Sequence, residues 1–364
     1  MYVVLGVDAG GTSSRAALFT PAGSEVRRGH AGGANPGALG MEQAAANLSA
    51  AVTAALAGSY QVAGVVVGLA GSPELCAGLA GRVFRDLLPE AVPVGVVGDI
   101  VTAFAAGTAA PSGTVLISGT GAIAAKIIDH VPVETADGFG WQLGDEGSAF
   151  WLGRAAARAT IRALALPDRR PLPDRPRPDR DLSDRTARSG EGDGRGPAFG
   201  REAEDPGGGR GTGGLLVELV VRRLLPDGAG GDPVARLAAA VHARPPLALA
   251  ELAPLVSEAA AAGDPLAGSI VAEAAALLAR TASQVRDPAL PLVLAGSVLT
   301  AAGPVREAVQ GLLEGAVPAG DAAGAAAWLA ARPLLDPRES AALHPRFVHP
   351  RGGQPVVPAG SAPS

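Results

Sequence analysis

The stretch Val3-Val-Leu-Gly-Val-Asp-Ala-Gly-Gly-Thr-Ser-Ser-Arg-Ala-Ala17 contains two apolar runs around a turn rich in Gly, Thr and Ser. The runs Val3–Val7 and Ser14–Phe19 predict the two strands of a hairpin. Glycine permits backbone conformations in which neighbouring N–H groups point together at an anion, and Thr adds a hydroxyl donor. The stretch therefore predicts a strand–turn–strand unit whose turn, at residues 10–12, is suited to binding a phosphate.

A second stretch repeats this layout of strand, glycine turn and strand. It is Thr114-Val-Leu-Ile-Ser-Gly-Thr-Gly-Ala-Ile-Ala-Ala-Lys126. Either turn alone is better explained as an ordinary hairpin connection. The repetition is more informative, because two such turns from two domains can hold a polyphosphate between them.

The second turn also matches a dinucleotide-binding fingerprint over Gly119–Ala124. That fingerprint requires a helix directly after the turn, with its N-terminus on the pyrophosphate. The run Ala122–Ile128 has the pattern of a strand instead. A Rossmann oxidoreductase is therefore only a minor alternative.

The composition excludes several classes of enzyme. The chain has 364 residues, with 51 Gly, 31 Pro, a net charge of −5 and one Cys. A single Cys excludes a disulfide framework and any four-cysteine zinc or iron–sulfur site made by one chain. Lys126 is the only lysine among 30 basic residues, and it lies in Ala-Lys-Ile. This context excludes a Walker phosphate loop and the strand lysine of a protein kinase.

Charge and hydropathy also limit the partners. The mild acidity argues against nucleic acid, whose binding needs a basic face. No apolar run reaches the roughly 18–20 residues that span a bilayer, and Val62–Ala70 has the length of a buried strand. The N-terminus has no basic region before its apolar stretch, which argues against a signal peptide. We expect a cytoplasmic protein with neither nucleic-acid nor membrane partners.

Strands and helices alternate over about the first 130 residues, and the pattern becomes mostly helical from Glu146. The alternation predicts an α/β fold with a largely parallel sheet that helices cover on both faces. The length predicts two domains, which we place at 1–110 and 111–332, and the Pro-rich tail 333–364 is expected to be loose. Within the second domain, Asp168–Arg210 contains 10 Arg and 10 acidic residues. With almost no large apolar side chain, residues 168–211 are expected to be a disordered insertion.

Two carboxylates come directly at the ends of predicted strands, Asp8 after the first and Asp99 after Val94–Gly98. In an open sheet these ends form the ligand crevice. Asp8, beside a phosphate turn, is suited to positioning hydrated Mg²⁺. Asp99 is suited to accepting a proton from an attacking hydroxyl, or to capping the helix that follows; on local sequence the cap is at least as good an explanation.

The segment Gly138-Phe-Gly-Trp-Gln-Leu-Gly-Asp-Glu-Gly-Ser148 combines aromatic and acidic residues. Aromatic planes against sugar faces, with carboxylates that accept hydroxyl hydrogens, suit a carbohydrate site. The same acids also fit the N-terminus of the helix predicted after it. In the turn-rich loop Gly32–Gly37, Asn35 either recognises polar substituents or shapes the turn.

Taken in order, five motifs resemble one known family. They are Val7-Asp-Ala-Gly-Gly-Thr12, Ile117-Ser-Gly-Thr-Gly121, Gly144-Asp-Glu-Gly-Ser148, Leu294-Ala-Gly-Ser-Val298 and Asp321-Ala-Ala-Gly-Ala325. The chain resembles the N-acetylglucosamine kinases and their BadF/BadG-type ATPase relatives within the actin/hexokinase/heat-shock ATPase superfamily. The resemblance implies two ribonuclease-H-like, actin-like ATPase domains around a central cleft, the second enriched in helices. It also implies a homodimer.

The resemblance carries roles onto individual residues. Asp99 falls at the position of the catalytic base, and Asp8 at the position that organises Mg²⁺ through water. Asn35, Phe139 and Asp145 correspond to amino-sugar contacts. The residues implied to touch the phosphates and adenosine of ATP are Gly10, Gly11, Thr12, Gly119, Thr120, Gly121, Gly296 and Ser297. One departure leaves the exact sugar open, because the loop after Asn35 lacks an aromatic residue that vertebrate members use near the sugar.

The implied function is an ATP-dependent kinase that phosphorylates the 6-hydroxyl of an amino sugar, N-acetylglucosamine or glucosamine. One alternative within the fold is a BadF/BadG-type ATPase that activates another enzyme; such activators bridge an iron–sulfur cluster with paired cysteines, whereas Cys76 has no companion. Another is a sugar-sensing regulator without catalysis. Such regulators usually carry a DNA-binding domain before the first phosphate motif, which here starts at residue 3.

Overall fold

The structure is a computed structural model that describes residues 1–165, 214–226, 228 and 231–349. The expected insertion at 168–211 and the residues after 349 lie outside the described residues. The described chain forms two five-stranded sheets, each with its own helices.

The first sheet has the strand order β3-β2-β1-β4-β5. Its strands are β1 (Tyr2–Ala9), β2 (Ser13–Phe19), β3 (Glu25–Gly32), β4 (Gln61–Leu69) and β5 (Val94–Gly98). The first three form an antiparallel meander, while β4 and β5 run parallel to β1. Its helices are α1 (Pro36–Leu39), α2 (Met41–Ala55), α3 (Pro73–Leu87) and α4 (Asp99–Ala105).

The second sheet repeats this topology in the order β10-β9-β6-β7-β8. Its strands are β6 (Gly113–Ser118), β7 (Ala122–Ile128), β8 (Val131–Asp137), β9 (Leu292–Ala295) and β10 (Ala316–Pro318). Between β8 and β9 lie α5 (Ala149–Ala165), α6 (Leu215–Leu224), α7 (Pro233–His242), a 3₁₀ turn (Pro246–Leu252), α8 (Ala253–Ala261) and α9 (Pro265–Val285). The last helices are α10 (Ser297–Thr300), α11 (Pro304–Leu312), α12 (Ala322–Ala331) and α13 (Pro337–Val348).

The expected fold class is confirmed, with two ribonuclease-H-like domains of which the second is richer in helices. The strand Ala122–Ile128 after the second glycine turn is also confirmed. The expectation of largely parallel sheets is wrong, because each sheet contains a three-stranded antiparallel meander. The outer strands of the two meanders, β3 and β8, lie at the sheet edges and have mostly exposed or half-buried side chains. They therefore lack the apolar pattern of a central strand.

The burial of strand β1 on both faces explains its continuous apolar run. Val3, Leu5 and Val7 pack in one buried cluster with helices α2 and α3, whereas Val4 packs on the other face with helix α12. A strand covered on both faces has no solvent side, so its residues from Val3 to Val7 are apolar.

Helix α12 lies against the first sheet, although it follows the second sheet in sequence. Gly6 of β1 makes this approach possible, since a Cβ there would lie 2.1 Å from the carbonyl oxygen of Ala323. Helix α4 makes the opposite crossing: its Phe104 packs with Val115 and Val293 of the second sheet. The predicted domains place α12 in the segment 111–332, whereas its packing joins this helix to the first sheet.

The expectation that the tail is loose is wrong for residues 333–349. Helix α13 begins at an Asp-Pro pair, and the Asp336 carboxylate accepts hydrogen bonds from two backbone N–H groups of the first turn. Phe347 is fully buried and stacks on Phe19 at 5.0 Å between ring centroids. The Trp328 indole N–H donates to the Ser340 carbonyl over 2.9 Å. The segment contains many polar residues, so its sequence did not indicate a helix. A surface helix, however, needs only one narrow apolar stripe to pack on a core.

Within the described residues, one helix, α9, is long and apolar enough to cross a membrane on length and composition. It packs on helices α5, α8 and α11 and on the second sheet, as the central helix of a domain core also does.

Candidate functional site

The first glycine turn leaves two backbone donors free. The N–H of Gly10 donates to the Ser13 carbonyl over 3.0 Å, and the Gly10 carbonyl accepts from Ala34 over 2.9 Å. The N–H groups of Gly11 and Thr12 have no partner in the part of the chain that the structure describes. A Cβ at Gly10 or Gly11 would meet no atom within 4 Å, and neither glycine has a positive φ. Packing does not require these glycines, so the open space beside them is available to a ligand.

The second glycine turn is built in a similar way and is anchored to a helix. The N–H of Gly119 donates to the Gly121 carbonyl over 2.9 Å. The Gly119 and Thr120 carbonyls accept from Ala149 and Phe150 in the first turn of α5, at 2.8 and 3.4 Å. Among the described residues, the N–H groups of Thr120 and Gly121 have no acceptor. The free donors of both turns suit the oxygens of a phosphate chain.

The acidic loop after β8 supports the second turn. Asp137 accepts hydrogen bonds from the N–H groups of Gly138, Asp145 and Glu146 at 2.7–2.9 Å. Oδ1 of Asp145 accepts from the Ala122 N–H over 3.1 Å, and Asp145 itself has a left-handed φ of 57°. Burial raises the pKa of Asp145, while the Ala122 N–H lowers it and Asp137 raises it. The structure therefore brings this carboxylate, expected at the sugar, against the glycine turn.

Asp8 lies at the centre of several charged groups. The Thr102 hydroxyl lies 3.3 Å from its Oδ1 and 3.0 Å from the Asp99 carbonyl. Burial raises the pKa of Asp8 to about 6; Arg15 and the Thr102 hydroxyl lower it, whereas the charges of Asp99 and Asp321 raise it. The site thus disfavours the ionised carboxylate until a cation approaches.

Asp99 is the first residue of helix α4 and does not cap it. The N-cap is Gly98, and no side chain makes a cap hydrogen bond there. Burial raises the pKa of Asp99, and the N–H groups of Ile100 and of Asp99 itself lower it. Within the described ranges, Asp99 forms no ion pair. Its carboxylate therefore interacts with backbone N–H groups at the start of α4 and is not neutralised by a cation among the described residues.

The remaining expected sugar contacts, Asn35 and Phe139, lie on two loops. Oδ1 of Asn35 accepts from the N–H groups of Gly37 and Ala38, at 2.9 and 3.3 Å, and caps α1. This hydrogen bonding leaves the amide N–H₂ for other partners. Phe139 is 70% exposed. Asn35 therefore shapes its loop, and the exposed ring of Phe139 is accessible to a ligand.

The Gly296–Ser297 turn packs against the second glycine turn. Gly296 has a φ of 83°, and a Cβ there would lie 2.3 Å from the Ser118 carbonyl oxygen. Ser297 is exposed, and its N atom lies 3.9 Å from the point where a Gly119 Cβ would be. Only glycine at position 296 allows these two turns to touch.

The chain fits Mg²⁺ as a phosphate-bound cation and offers no cage of its own. No cluster of three or more His, Cys, Asp or Glu among the described residues could hold a metal. Mg²⁺ commonly binds through one or two carboxylates, waters and substrate phosphates, and Asp8 supplies one such carboxylate next to the first phosphate turn.

Three features of the site were not predicted from sequence. Thr102 lies one turn after Asp99 on the predicted helix, so the sequence spacing alone indicates that it is close to Asp99. Nothing in the sequence indicates its contact with Asp8. Asp137 ends the unpredicted strand β8. Arg15 and Asp321 reach Asp8 only through the packing of β2 and α12 on β1.

The two sheets and their glycine turns define a two-domain fold of the actin-like type. A model of the BadF/BadG/BcrA/BcrD ATPase family matches residues 5–320. The chain belongs to this family.

Two solved structures share the fold. A proposed N-acetylglucosamine kinase from Chromobacterium violaceum is 23% identical, with a TM-score of 0.61 over 90% of this chain and 98% of that one. A proposed N-acetylglucosamine kinase from Porphyromonas gingivalis is 19% identical, also at 0.61, over 96% of this chain and 100% of that one. Comparison with curated protein sequences finds no significant match. At these identities the similarity concerns the fold.

Proposed function

We propose that the protein is an ATP-dependent kinase that phosphorylates the 6-hydroxyl of an amino sugar, N-acetylglucosamine or glucosamine. The observation that carries the proposal is Asp99, a carboxylate with a raised pKa and no ion pair among the described residues, placed beside Asp8 in a fold with two glycine turns. A general base needs a tuned pKa and a carboxylate that no counter-ion holds in its ionised form.

In the proposed reaction, the free N–H groups of the two turns hold the phosphates of ATP in line with the sugar. Asp99 accepts the proton of the 6-hydroxyl while that oxygen bonds to the γ-phosphorus and the bond to the β-phosphate oxygen breaks, releasing ADP. When bound, Mg²⁺ neutralises charge on the phosphate oxygens, and Asp8 is the residue placed to hold it through water. Closure of the two domains excludes water, which limits ATP hydrolysis.

The amino sugar is supported by the loop residues and by the fold neighbours. Asn35 keeps its amide N–H₂ for a carbonyl such as that of an acetamido group. The exposed ring of Phe139 offers an apolar plane for a sugar face. The two fold neighbours are described as proposed N-acetylglucosamine kinases.

A panel of sugars tests the proposal. ADP release is measured with N-acetylglucosamine, glucosamine, glucose and N-acetylmannosamine, with and without Mg²⁺. We expect amino sugars to stimulate release and the product to be the 6-phosphate by NMR. If hydrolysis is the same without any sugar, the kinase proposal is wrong.

That negative result would favour the alternative raised from the sequence, an ATPase that activates another enzyme. An iron–sulfur cluster shared between subunits would need accessible thiols. Cys76 is 3% exposed, and its sulfur points at the Leu69 carbonyl over 3.9 Å. The buried thiol therefore supports the kinase over a cluster-bearing activator.

A further inference from the structure

A cavity of about 300 Å³ opens beside the Gly296–Ser297 turn. Helix α5 lines it with Ala149 and Leu152, helix α8 with Pro254 and Ser257, and the segment 297–303 closes the remaining side. This volume is large enough for a purine base with part of its ribose.

The cavity adjoins the second phosphate turn. Ser297 lines the cavity, and its N atom is 3.9 Å from the Cβ position of Gly119. A nucleotide whose phosphates contact Thr120 and Gly121 would therefore extend its nucleoside towards this cavity. This step depends on the proposed function, since it takes a nucleotide as the ligand of the turns.

The side chains that line the cavity contain few groups able to distinguish one base from another. Among the described residues that line it, Ser257 and Ser297 carry the only polar side chains; the others are Ala, Leu, Pro, Val and Gly. A hydroxyl both donates and accepts, so it can bond either the amino group of adenine or the oxo group of guanine at C6. Within the lining, no amide or charged side chain imposes one pattern of donors and acceptors.

We propose that this cavity holds the nucleoside without selecting the base, so that the protein uses purine nucleoside triphosphates with either an amino or an oxo group at C6. A site built to hydrogen-bond a group rejects an analogue that lacks it by about 10⁴–10⁵-fold, whereas an apolar pocket rejects an added polar group only about 10²-fold. The lining of this cavity is that of an apolar pocket.

The test is direct binding of ATP, GTP and ITP with Mg²⁺ by isothermal titration calorimetry, in the absence of sugar. We expect dissociation constants within about tenfold of one another, in line with the weak discrimination of an apolar pocket. The Ser257→Ala variant is expected to leave the ATP-to-GTP ratio unchanged. GTP binding more than about 100-fold weaker than ATP binding, or a tenfold change of the ratio in Ser257→Ala, overturns the proposal.

A pair of variants locates the nucleoside. Ala301 is exposed and lines the cavity, so Ala301→Phe fills it without burying the ring in the core. We expect this variant to weaken all three nucleotides by similar factors. The control Ala261→Phe, exposed on α8 and outside the lining, should leave them unchanged. Unchanged binding in Ala301→Phe shows that the nucleoside lies elsewhere and overturns the proposal.

The two proposals fail separately. If the purine nucleotides bind equally well but no sugar is phosphorylated, the kinase proposal is wrong and the proposal that the cavity tolerates either base stands. If a sugar is phosphorylated with ATP but not with GTP or ITP, the proposal that the cavity tolerates either base is wrong and the kinase proposal stands.

Discussion

In both halves of the molecule, the helix that follows the last strand of the sheet begins with an aspartate. In the second half Asp321 is the N-cap of α12, accepts from the Ala323 N–H over 3.2 Å and pairs with Arg28 of β3. In the first half Asp99 lies one residue inside α4, does not cap it and has no ion pair among the described residues. A difference of one position relative to the helix start therefore distinguishes a structural carboxylate, Asp321, from one that is available for chemistry, Asp99.

The two glycine turns differ in the same way. The strand leading into the second turn ends at Ser118, whose buried hydroxyl donates to the Gly147 carbonyl over 3.0 Å. The strand leading into the first turn carries Asp8, whose pKa is raised to about 6. The fold repeats, but the strand before the first turn ends with a buried carboxylate, whereas the strand before the second turn ends with a hydroxyl. Under the proposed function, the first domain therefore supplies the acid–base and cation chemistry.

The largest expected effect comes from exchanging the two helix-start aspartates for asparagine. Asp99→Asn should lower kcat about 10²–10⁴-fold, because asparagine cannot accept the proton. ATP binding should be unchanged. Asp321→Asn keeps a side-chain oxygen for the cap but loses the ion pair with Arg28, so it should cost about 1–3 kcal/mol of stability with little loss of kcat.

Steady-state kinetics and urea unfolding of both variants separate these outcomes. Wild-type kcat in Asp99→Asn would remove its assignment as the base. Equal loss of kcat in both variants would remove the contrast between the helices.

A second contrast compares two glycines of the β1–β2 unit. Gly6→Ala places a Cβ 2.1 Å from backbone atoms of Ala323 and Ala327, so helix α12 must move. We expect a loss of about 3 kcal/mol in the free energy of unfolding. Gly11→Ala meets no atom within 4 Å and should keep wild-type stability. Because its methyl group occupies the space left for phosphate, it should weaken ATP binding in calorimetry; unchanged ATP affinity would exclude Gly11 from the phosphate site.

The raised pKa of Asp8 predicts a pH-dependent stability. The folded state holds the proton up to about pH 6, whereas the unfolded carboxyl ionises near its usual pKa of 3.8. Stability from this group is therefore present below about pH 4 and is lost as the pH rises through 6. Asp8→Asn removes this cost. Because a shift of about two pKa units is worth about 3 kcal/mol, the variant without ligand should gain up to about 3 kcal/mol over wild type at pH 7.5 and little at pH 4.

Thermal melts across this pH range measure the Asp8 effect. Addition of Mg²⁺ and ATP should stabilise wild type more than Asp8→Asn. A stability difference between the two proteins that is independent of pH would contradict the raised pKa.

The smallest effect concerns two buried threonines. Thr102→Val removes the hydroxyl next to Asp8 and should cost about 1 kcal/mol, while Thr102→Ser should restore it. Thr160 is the matched control, because its buried Oγ1 has no hydrogen-bond partner within the described ranges. Thr160→Val should therefore be neutral or stabilising in urea unfolding. Equal losses in both valine variants would show that the Thr102 hydroxyl does nothing specific for Asp8.

Much of the fold could be predicted because its signals are local. Pro233–His242 and Pro265–Val285 each begin with an Asp-Pro cap followed by an apolar helical period, and both signals lie within the helix's own sequence. The glycine turns were predicted for the same reason. Edge strands β3 and β8 were missed because an exposed strand carries no apolar pattern.

For this protein, the sequence by itself determined the repeated strand–turn–strand units, the carboxylates at the strand ends and most helices. These depend on backbone freedom, capping and side-chain period, which act over a few residues. Only the tertiary structure decided that α12 packs on the first sheet and that Asp145 supports the second glycine turn. It also decided that Asp321 pairs with Arg28, while Asp99 has no ion pair among the described residues. Such choices depend on contacts between segments far apart in the chain, and neither composition nor local pattern encodes those distances.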